Sequence, residues 1–547
     1  MRWRMVRLLF PPRFGAQSTP VLAAAAFITL TVIYLLRYRG HITPFTSASF
    51  SFRTSTVSGL NLDAINTTAQ YFIDYPLGPP YKKIFGELGE RTKVLRSWIE
   101  ALEEETPKGR RLVGTERDFL ADRVERVAAS LYPYLQSPPR DPHSQSPLAD
   151  LRRSFRSADT HVRKTQRVVE GVESGHIGGA AAAAAAVAAD AITDKRPGDG
   201  FTKPKNAGIV IPTGSGTLRF ACHLVASLTR VHRTTLPIQI VYAGEEDLTE
   251  EDRDALVQAA GEGDDGHIEF LDIMTVFNDT TLRLAEGGWA IKPFAALGSR
   301  FEEVIVLDAD VVLIQPPEQL LQQRSYREKG ALLFHDRLLW KDQFPERHEW
   351  YHEMIKHPSE EMQKSLVWTE RYAEEEDSGI VVLNKGRLDV LLGLLHTAWQ
   401  NTYSVRNSWT YRIGYGDKET WWIGLEVTGS TYSFSRHYGG MVGWRYPIQG
   451  VQTDMTQVCS FVIAHVDELD TLLWYNGGLL KNKMGNATEF EVPTHWMIDQ
   501  QWVKGAKKKD MSCMVGTNTR ELLEHEKNVL AMSIETAQDV DVLLELV

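Results

Sequence analysis

The sequence predicts an α/β fold with a mostly parallel sheet flanked by helices, in the part of the chain that begins near residue 207. Two observations carry this prediction. Short apolar runs rich in β-branched residues alternate there with amphipathic stretches, which is typical of parallel strands joined by right-handed crossovers. One run, residues 304–307, stops abruptly in two carboxylates, Asp308 and Asp310. Because ligands bind at the carboxyl ends of parallel strands, the sequence predicts a binding site at this point.

Each predicted element has a local signature. Clusters of β-branched apolar residues predict strands at residues 209–211, 238–242, 267–271 and 304–307. The intervening helices are predicted at residues 218–231, from an apolar stripe, and at residues 289–297. Another helix should begin after Thr249, a residue suited to an N-cap that is followed directly by three acids.

Composition limits the classes of protein that fit. A chain of 547 residues with 43% hydrophobic and 24% charged residues is a globular protein of two or three domains. A formal net charge of −11 argues against a nucleic-acid partner. The three cysteines, Cys222, Cys459 and Cys513, allow at most one disulfide, and the sequence does not fix its partners. No Cys/His spacing resembles a zinc site.

The first domain feature is a predicted membrane span. No charged residue occurs between Arg13 and Arg37, and residues 21–38 are long and apolar enough to cross a thin bilayer. More arginines precede this segment than follow it, which predicts a type II signal anchor with the remainder luminal. A cleaved signal peptide is the alternative, but the residues after the span are not small. The predicted organisation is a cytosolic tail (1–20), an anchor (21–38), a luminal stem (39–205), a catalytic domain (206–535) and a C-terminal tail (536–547).

The predicted stem is heterogeneous. Apolar residues recur at helical spacing in residues 94–102 and 120–131, and a third helix is expected from about residue 148. Residues 178–189 are alanine-rich, and we expect residues 173–204 to be a poorly ordered insertion. Three Asn-x-Ser/Thr sites suit a luminal chain, namely Asn66, Asn278 and Asn486.

The Asp-x-Asp pattern is the strongest chemical signal, although it occurs three times. The copies at residues 252–254 and 539–541 follow no strand, whereas Asp308 and Asp310 follow an apolar one. Two carboxylates on a short turn suit Mn²⁺ or Mg²⁺, which would neutralise a nucleotide diphosphate. A strand that merely ends in a polar turn is the alternative interpretation.

Several motifs in the same order resemble the fungal α-1,3-mannosyltransferases, which are type II Golgi enzymes with a GT-A fold. They include Gly-Trp-Ala-Ile-Lys-Pro-Phe at residues 288–294 and Phe-Glu-Glu-Val-Ile-Val-Leu-Asp-Ala-Asp at residues 301–310. Further matching stretches lie at residues 208–210, 236–238, 377–383, 416–421 and 473–479. The resemblance covers residues 207–503, and the alanine run is not part of it.

The resemblance implies GDP-mannose as the donor, Mn²⁺ (or Mg²⁺) as the cofactor, and transfer to a mannose of a glycoprotein glycan. It also implies a Golgi membrane location and a possible Golgi mannosyltransferase complex. The donor-binding residues that it implies are Gly208, Ile209, Lys292, Asp308, Ala309, Asp310, Ser378, Gly379, Asn476 and Gly477. Asp310 would bind the metal directly, and Asp308 would bind the ribose or a water on the metal. His465 follows an apolar run and would be the third metal ligand; a capped core histidine is the alternative.

The catalytic residues implied are Asp417, Asp377 and Lys292. A lysine in an apolar helix needs a partner. For Lys292 that partner would be a donor phosphate or, alternatively, an ion pair with Asp308 or Asp310. The acceptor-binding residues implied are Trp421, Trp422 and Trp474, whereas Trp289 is assigned to the core.

The mechanism and two alternative functions remain open at this point. GDP-mannose is an α-glycoside, so forming an α-linkage retains the configuration of the anomeric carbon. Retention could proceed through a carboxylate nucleophile, Asp417 or Asp377, or through same-face attack with the leaving phosphate as base. Same-face attack needs no protein base and is the preferred mechanism. The fold would equally accommodate a UDP-sugar donor. The chain could also be a non-catalytic Golgi subunit that binds glycans, although both Asp310 and Lys292 are present.

Overall fold

The computed structural model describes residues 61–103, 114–136, 206–261, 268–448, 454–483 and 485–545. These residues belong to one compact unit, Val57–Val547. The predicted cytosolic tail, the anchor at 21–38, the third stem helix and the alanine-rich insertion lie outside them. Within the described part of the chain, no helix is both long and apolar enough to span a bilayer.

The strands follow the predicted order. They are β1 (Ala207–Pro212), β2 (Ile238–Tyr242), β3 (Ile268–Asp272), β4 (Glu303–Leu307), β5 (Val311–Leu313), β6 (Ala331–His335), β7 (Ile380–Asn384), β8 (Ser433–Tyr438), β9 (Met441–Pro447), β10 (Thr456–Ser460), β11 (Ile463–Val466), β12 (Leu472–Asn476), β13 (Leu480–Asn482), β14 (Asn486–Phe490), β15 (His495–Met497), β16 (Gln501–Val503), β17 (Ser512–Gly516) and β18 (Arg520–Glu521).

The helices predicted within the described ranges are present, together with several short turns. They are α1 (Leu62–Asp74), α2 (Phe85–Glu103), α3 (Thr115–Leu131), α4 (Leu218–Ala226), α5 (Glu250–Ala260), α6 (Ile273–Val276), α7 (Asp279–Leu282), α8 (Ile291–Gly298), α9 (Glu318–Gln322), α10 (Arg324–Lys329), α11 (Pro345–Met354), α12 (Leu366–Glu370), α13 (Leu388–Gln400), α14 (Tyr403–Val405), α15 (Tyr411–Ile413), α16 (Lys418–Thr428) and α17 (Glu524–Leu543). Thr249 caps α5 as predicted, since its side chain accepts a hydrogen bond from the backbone of Asp252.

The main sheet has seven strands in the order β3-β2-β1-β4-β7-β6-β8. The first four are mutually parallel, as predicted, while β7 runs antiparallel to both of its neighbours. The sheet is therefore mixed and mostly parallel. Side chains of β4 alternate between the two faces, so Val304 and Val306 join one apolar cluster and Ile305 and Leu307 the other.

Antiparallel strands form a second region beyond β8. They make a six-stranded sheet, β16-β17-β10-β9-β15-β18, a three-stranded sheet, β11-β12-β5, and the hairpin β13-β14. Cys459 and Cys513 lie opposite each other on β10 and β17 and form a disulfide, while Cys222 is a buried free thiol. The pairing that the sequence left open is thus between the two late cysteines.

The predicted domain limits do not match where the core ends. Helices α1 to α3, from the predicted stem, share an apolar cluster with α8, α13 and α16. The predicted boundary at residues 535/536 falls inside α17, whose Asp541 is buried and pairs with Arg219 and His223 of α4. The C-terminal helix is therefore part of the domain as far as the structure describes it.

Candidate active site

The Asp-x-Asp turn lies at the carboxyl end of β4, between the main sheet and the antiparallel region. The backbone N–H of Asp308 donates to the carbonyl of Gly379, at 2.9 Å. The N–H groups of Gly477 and Gly478 donate to the carbonyl of Asp310, at 3.1 and 2.7 Å. Both glycines have positive φ, 137° and 85°, so the turn after β12 needs them. Three distant segments thereby converge on one turn.

A polar cavity of about 330 Å³ opens over this turn. Its lining includes seven of the predicted site residues, namely Lys292, Asp308, Asp310, Ser378, Asp417, Asn476 and Gly477. It also includes seven residues that the sequence did not predict for the site, namely Trp289, Arg337, Tyr415, Lys418, Phe461, Ile463 and Lys483. The convergence of predicted residues on one concave surface makes this cavity the candidate active site.

Lys292 lies at the floor of the cavity and is only 3% exposed. Its Nζ lies 2.9 Å from Oδ1 of Asp308 and 2.9 Å from Oδ2 of Asp417, and it donates to the carbonyl and the hydroxyl of Ser378. Burial acts to lower the pKa of Lys292, but the two carboxylates outweigh it and raise that pKa. The predicted alternative of an internal ion pair is thus realised, with a permanently charged ammonium.

Burial has the opposite consequence for the carboxyl that Lys292 contacts. Desolvation raises the pKa of Asp308 to about 7, although the ammonium of Lys292 opposes the shift. Two further acids, Asp417 and Asp310, add to the rise by like-charge repulsion. Asp308 and Asp417 therefore share one ammonium, and Asp310 is close enough to Asp308 to contribute to the rise of its pKa.

Asp310 has its own cation, Lys483, which follows β13. The ammonium of Lys483 pairs with Oδ2 of Asp310, and both side chains are about a quarter exposed. The same ammonium lies over the ring of Phe220. Sequence reasoning missed Lys483 although it lies only six residues after Gly477, because its role depends on how the β13-β14 hairpin folds back.

Asp377 was predicted to be catalytic, but the structure buries it completely. One of its oxygens accepts hydrogen bonds from Gly379 N–H and from Asn476 Nδ2, and the other lies 3.1 Å from Nε2 of His465. Burial acts to raise the pKa of Asp377, but the contacts with His465 and Asn476 outweigh it and hold that pKa well below its usual range. Asp377 is therefore a positioning residue that fixes Asn476.

The residues fit a divalent cation only in part. In the described ranges, no group of three or more His, Cys, Asp or Glu side chains is arranged to hold a metal. His465 contacts Asp377 and stacks on Trp474, so the structure does not bring it to the Asp-x-Asp turn. Asp308 and Asp310 remain as candidate metal ligands. Proteins usually hold Mg²⁺ with one or two carboxylates, and phosphates of the substrate complete its coordination. On Asp310 the ammonium of Lys483 stands where such a cation would bind.

Several other predictions are corrected by burial. Trp421, Trp422 and Trp474 are at most 1% exposed and belong to the core, so they offer no face to an acceptor. Trp289, which was assigned to the core, is 48% exposed and lines the cavity. The burial of these four tryptophans is therefore the opposite of what the sequence predicted.

The predicted glycine contacts also have structural partners. Gly208 and Ile209 are buried in the first half of β1, where a Cβ on Gly208 would meet the ring of Phe301 at 2.3 Å. A Cβ on Gly379 would lie 2.7 Å from Asn476, so this glycine admits a side chain rather than a substrate. Ala309 is 8% exposed and, like Gly208, Ile209 and Gly379, is not among the residues lining this cavity.

A second buried ion pair borders the cavity. Lys418, which follows Asp417 and begins α16, pairs with Asp336 at the end of β6. Burial acts to lower the pKa of Lys418, but Asp336 and Asp377 outweigh it and raise that pKa. Arg337 lies 3.6 Å from the same Asp336 carboxylate. Neither basic residue stood out in the sequence, since the partner acid lies about eighty residues before Lys418.

Two solved glycosyltransferase structures are distant neighbours of the chain. One is a galactosyltransferase, LgtC, crystallised with donor and acceptor sugar analogs, at 17% identity and a TM-score of 0.28, covering 42% of this chain and 73% of that one. Another is mouse xyloside xylosyltransferase 1, at 13% identity and a TM-score of 0.26, covering 42% of this chain and 82% of that one. Scores this low do not establish a shared overall fold.

Sequence relatives give a more specific answer. The α-1,3-mannosyltransferase MNT3 of Saccharomyces cerevisiae is 32% identical over 295 residues, which covers 47% of this chain and 44% of the relative. The α-1,3-mannosyltransferase MNN1 of the same yeast is 25% identical over 339 residues, covering 53% and 43%. The chain thus spans less than half the length of these relatives. Residues 206–467 match the sequence profile of the family described as "Mannosyltransferase putative". Over these residues the chain is similar to that mannosyltransferase family, in agreement with the resemblance of its motifs.

Proposed function

We propose that the chain is a metal-dependent, retaining α-1,3-mannosyltransferase of GT-A fold. It transfers mannose from GDP-mannose to a mannose residue of a glycoprotein glycan. One observation carries the proposal. Lys292 is held between Asp308 and Asp417 at the floor of a cavity at the carboxyl end of β4, inside the segment that matches mannosyltransferases. A preorganised ammonium there suits a reaction whose leaving group is a diphosphate.

The charge of the cavity supports a phosphorylated donor. Four basic side chains line it, Lys292, Arg337, Lys418 and Lys483, against three acidic ones, Asp308, Asp310 and Asp417. Mn²⁺ or Mg²⁺ would be held by Asp310 and Asp308 together with diphosphate oxygens, and it would neutralise the charge of the leaving group. Lys483 would then turn from Asp310 to a phosphate oxygen.

Same-face attack is the mechanism that the residues favour. The acceptor hydroxyl attacks the anomeric carbon on the face that the diphosphate leaves, and the diphosphate oxygen takes the hydroxyl proton. One carbon–oxygen bond forms as another breaks, and no protein base is needed. A covalent route is disfavoured because Asp377 is buried and fully bonded, while Asp417 is tied to Lys292 and to Nε1 of Trp421.

The test uses the full chain in detergent with Mn²⁺ and a panel of GDP- and UDP-sugars. Nucleotide release is followed with and without an α-mannoside. We expect release from GDP-mannose, stimulated by the mannoside and lost in Asp310→Asn. Asp254→Asn is the matched control, because Asp254 belongs to another Asp-x-Asp pattern and is exposed on α5. Release from a UDP-sugar instead would overturn the donor. If a folded protein releases nucleotide from none of these sugars, the result would favour a non-catalytic glycan-binding subunit.

We also propose the Golgi membrane as the location, with residues 21–38 as a type II anchor and other Golgi mannosyltransferases as complex partners. The glycosylation sites make this testable. Asn278 and Asn486 are exposed, whereas Asn66 lies within α1 and its side-chain oxygen is buried. We expect the expressed chain to carry glycans at the first two sites. Removing N-glycans should shift its gel mobility, and Asn278→Gln with Asn486→Gln should abolish the shift; a cytosolic domain would carry none.

A further inference from the structure

Trp289 and Tyr415 form an exposed aromatic wall of the cavity. Their ring centroids lie 5.0 Å apart, and the side chains are 48% and 61% exposed. The other large aromatic side chains that are exposed in the described ranges are Tyr71, Tyr75, Trp340, Phe344 and Tyr446, and none of these lines the cavity. Two large apolar rings left in water beside a polar site mark a place where a ligand covers them.

The backbone holds this pair in place. Trp289 lies in the single turn Gly288–Ala290 that leads into α8, and Tyr415 lies two residues before Asp417. Gly416, between Tyr415 and Asp417, has φ of 67°, and a Cβ there would lie 2.9 Å from the indole of Trp289. The glycine therefore lets the loop pass directly against the indole. The pair is consequently a built surface rather than a chance exposure.

The position of the pair indicates which part of the reaction it serves. Lys483, which pairs with Asp310, is the lysine expected to take the diphosphate, and Lys292 pairs with Asp417 in the same cavity. Trp289 and Tyr415 adjoin this second ion pair, because Trp289 lies just before α8, which carries Lys292, and Tyr415 lies two residues before Asp417. A ligand that follows the transferred sugar, rather than the nucleotide, would therefore cover them.

We infer that Trp289 and Tyr415 form the acceptor platform, on which a pyranose ring of an α-mannoside lies before transfer. This inference rests on the proposed function. A pyranose has one face of C–H groups and an edge of hydroxyls, so an aromatic wall beside charged and amide groups matches both sides of it. The platform replaces the buried tryptophans as the surface that recognises the acceptor.

The experiment compares Trp289→Ala and Tyr415→Ala with Trp340→Ala, whose residue is equally exposed but away from the cavity. With the full chain, Mn²⁺ and GDP-mannose, we expect the KM for α-mannobiose to rise about tenfold or more in the first two variants. The KM for GDP-mannose should rise by a much smaller factor than the KM for mannobiose, and Trp340→Ala should match the wild type in both. An unchanged KM for mannobiose would overturn the platform. So would an effect confined to the KM for GDP-mannose, because the rings would then stack on guanine.

A binding measurement separates this inference from the proposed function. Saturation-transfer NMR with α-mannobiose should show transfer to the ring C–H protons in the wild type and in Trp340→Ala, and its loss in Trp289→Ala. Persistence of the signal in Trp289→Ala would overturn the inference. If the wild type transfers no mannose, the proposed function fails, while the NMR measurement still shows whether Trp289 and Tyr415 bind a mannoside. Should Trp289→Ala not fold, Tyr415→Ala carries the same comparison.

Discussion

Lys292 and Lys483 place ammonium groups on two neighbouring carboxylates, Asp308 and Asp310, yet the structure holds them in opposite ways. Lys292 comes from a helix, is 3% exposed and faces four oxygen acceptors from three residues. Lys483 comes from a hairpin, and its side chain is 27% exposed against the Asp310 carboxylate. Removing a buried cation leaves its partner carboxylates buried without a compensating charge, whereas a partly exposed ion pair can separate at little cost in free energy. The comparison indicates that Lys292 is a fixed part of the site and Lys483 an exchangeable one.

The largest expected effect is that of Lys292→Met. Asp417 and Asp308 would lose the ammonium that compensates them in a buried setting, which should cost about 3–5 kcal/mol of unfolding free energy. Loss of the preorganised charge should also lower kcat by about 10²–10³-fold. Thermal unfolding and mannosyl transfer, measured on the same preparation, check both parts.

Lys385→Met is the control for Lys292→Met. Lys385 is also buried, and it donates to backbone carbonyls of Leu297 and Ser299 at the far end of α8. The Lys385→Met variant should be less stable than the wild type, but its folded fraction should keep the wild-type kcat. Equal kcat losses in the two variants would remove the special role of Lys292 and reduce the comparison to one of burial.

A smaller effect is expected for Lys483→Met. If this lysine exchanges from Asp310 to a donor phosphate, its loss should raise the KM for GDP-mannose by about 10- to 100-fold. It should also tighten Mn²⁺ binding without donor, because the ammonium no longer competes for Asp310. Electron paramagnetic resonance of free Mn²⁺ measures the second effect independently of activity. Lys481→Met is the matched control on the same hairpin, since Lys481 pairs with Glu489 and Glu491. Looser Mn²⁺ binding in Lys483→Met would contradict exchange.

The sequence was informative wherever the signal is local. The strand before Asp308 has its own apolar pattern and the helix after Thr249 its own cap, so both were predicted correctly. The family resemblance extended the predictions to positions that are distant in sequence. It assigned Lys292 and Asp417 to one site although 125 residues separate them. Such a pair has no local signature, because only the packing of α8 beside α16 brings the two groups together.

The failures share a physical cause. A tryptophan is apolar and also stacks on sugars, so its type does not say which role it has. Helix α16 is buried on every side, which removes Trp421 and Trp422 from solvent, while Trp289 lies on a single turn at the domain surface. His465 was expected at a metal from the family resemblance and from its place after an apolar run, but its actual partner, Asp377, lies 88 residues earlier. Contacts of this range depend on the assembled sheet.

A third prediction concerns Glu419, a buried carboxyl for which the described part of the chain shows no ion pair with a lysine. Glu419 lies on α16 two residues after Asp417 and accepts hydrogen bonds from Trp422 Nε1 and the N–H of Glu375. Desolvation raises its pKa to about 7, although the positive charge of Arg347 opposes the shift. The folded state therefore holds this proton up to about pH 7, whereas the unfolded chain releases it near 4.5.

The sign of the pH effect follows from that difference. The stabilising contribution of Glu419 is fully present below pH 4.5 and is lost as the pH rises to about 7, a change on the order of 3 kcal/mol. We expect the Tm of Glu419→Gln to fall less between pH 5 and 7.5 than that of the wild type, with Glu353→Gln, at an exposed position of α11, retaining the wild-type slope. Parallel slopes in all three proteins would mean that Glu419 is charged in the fold.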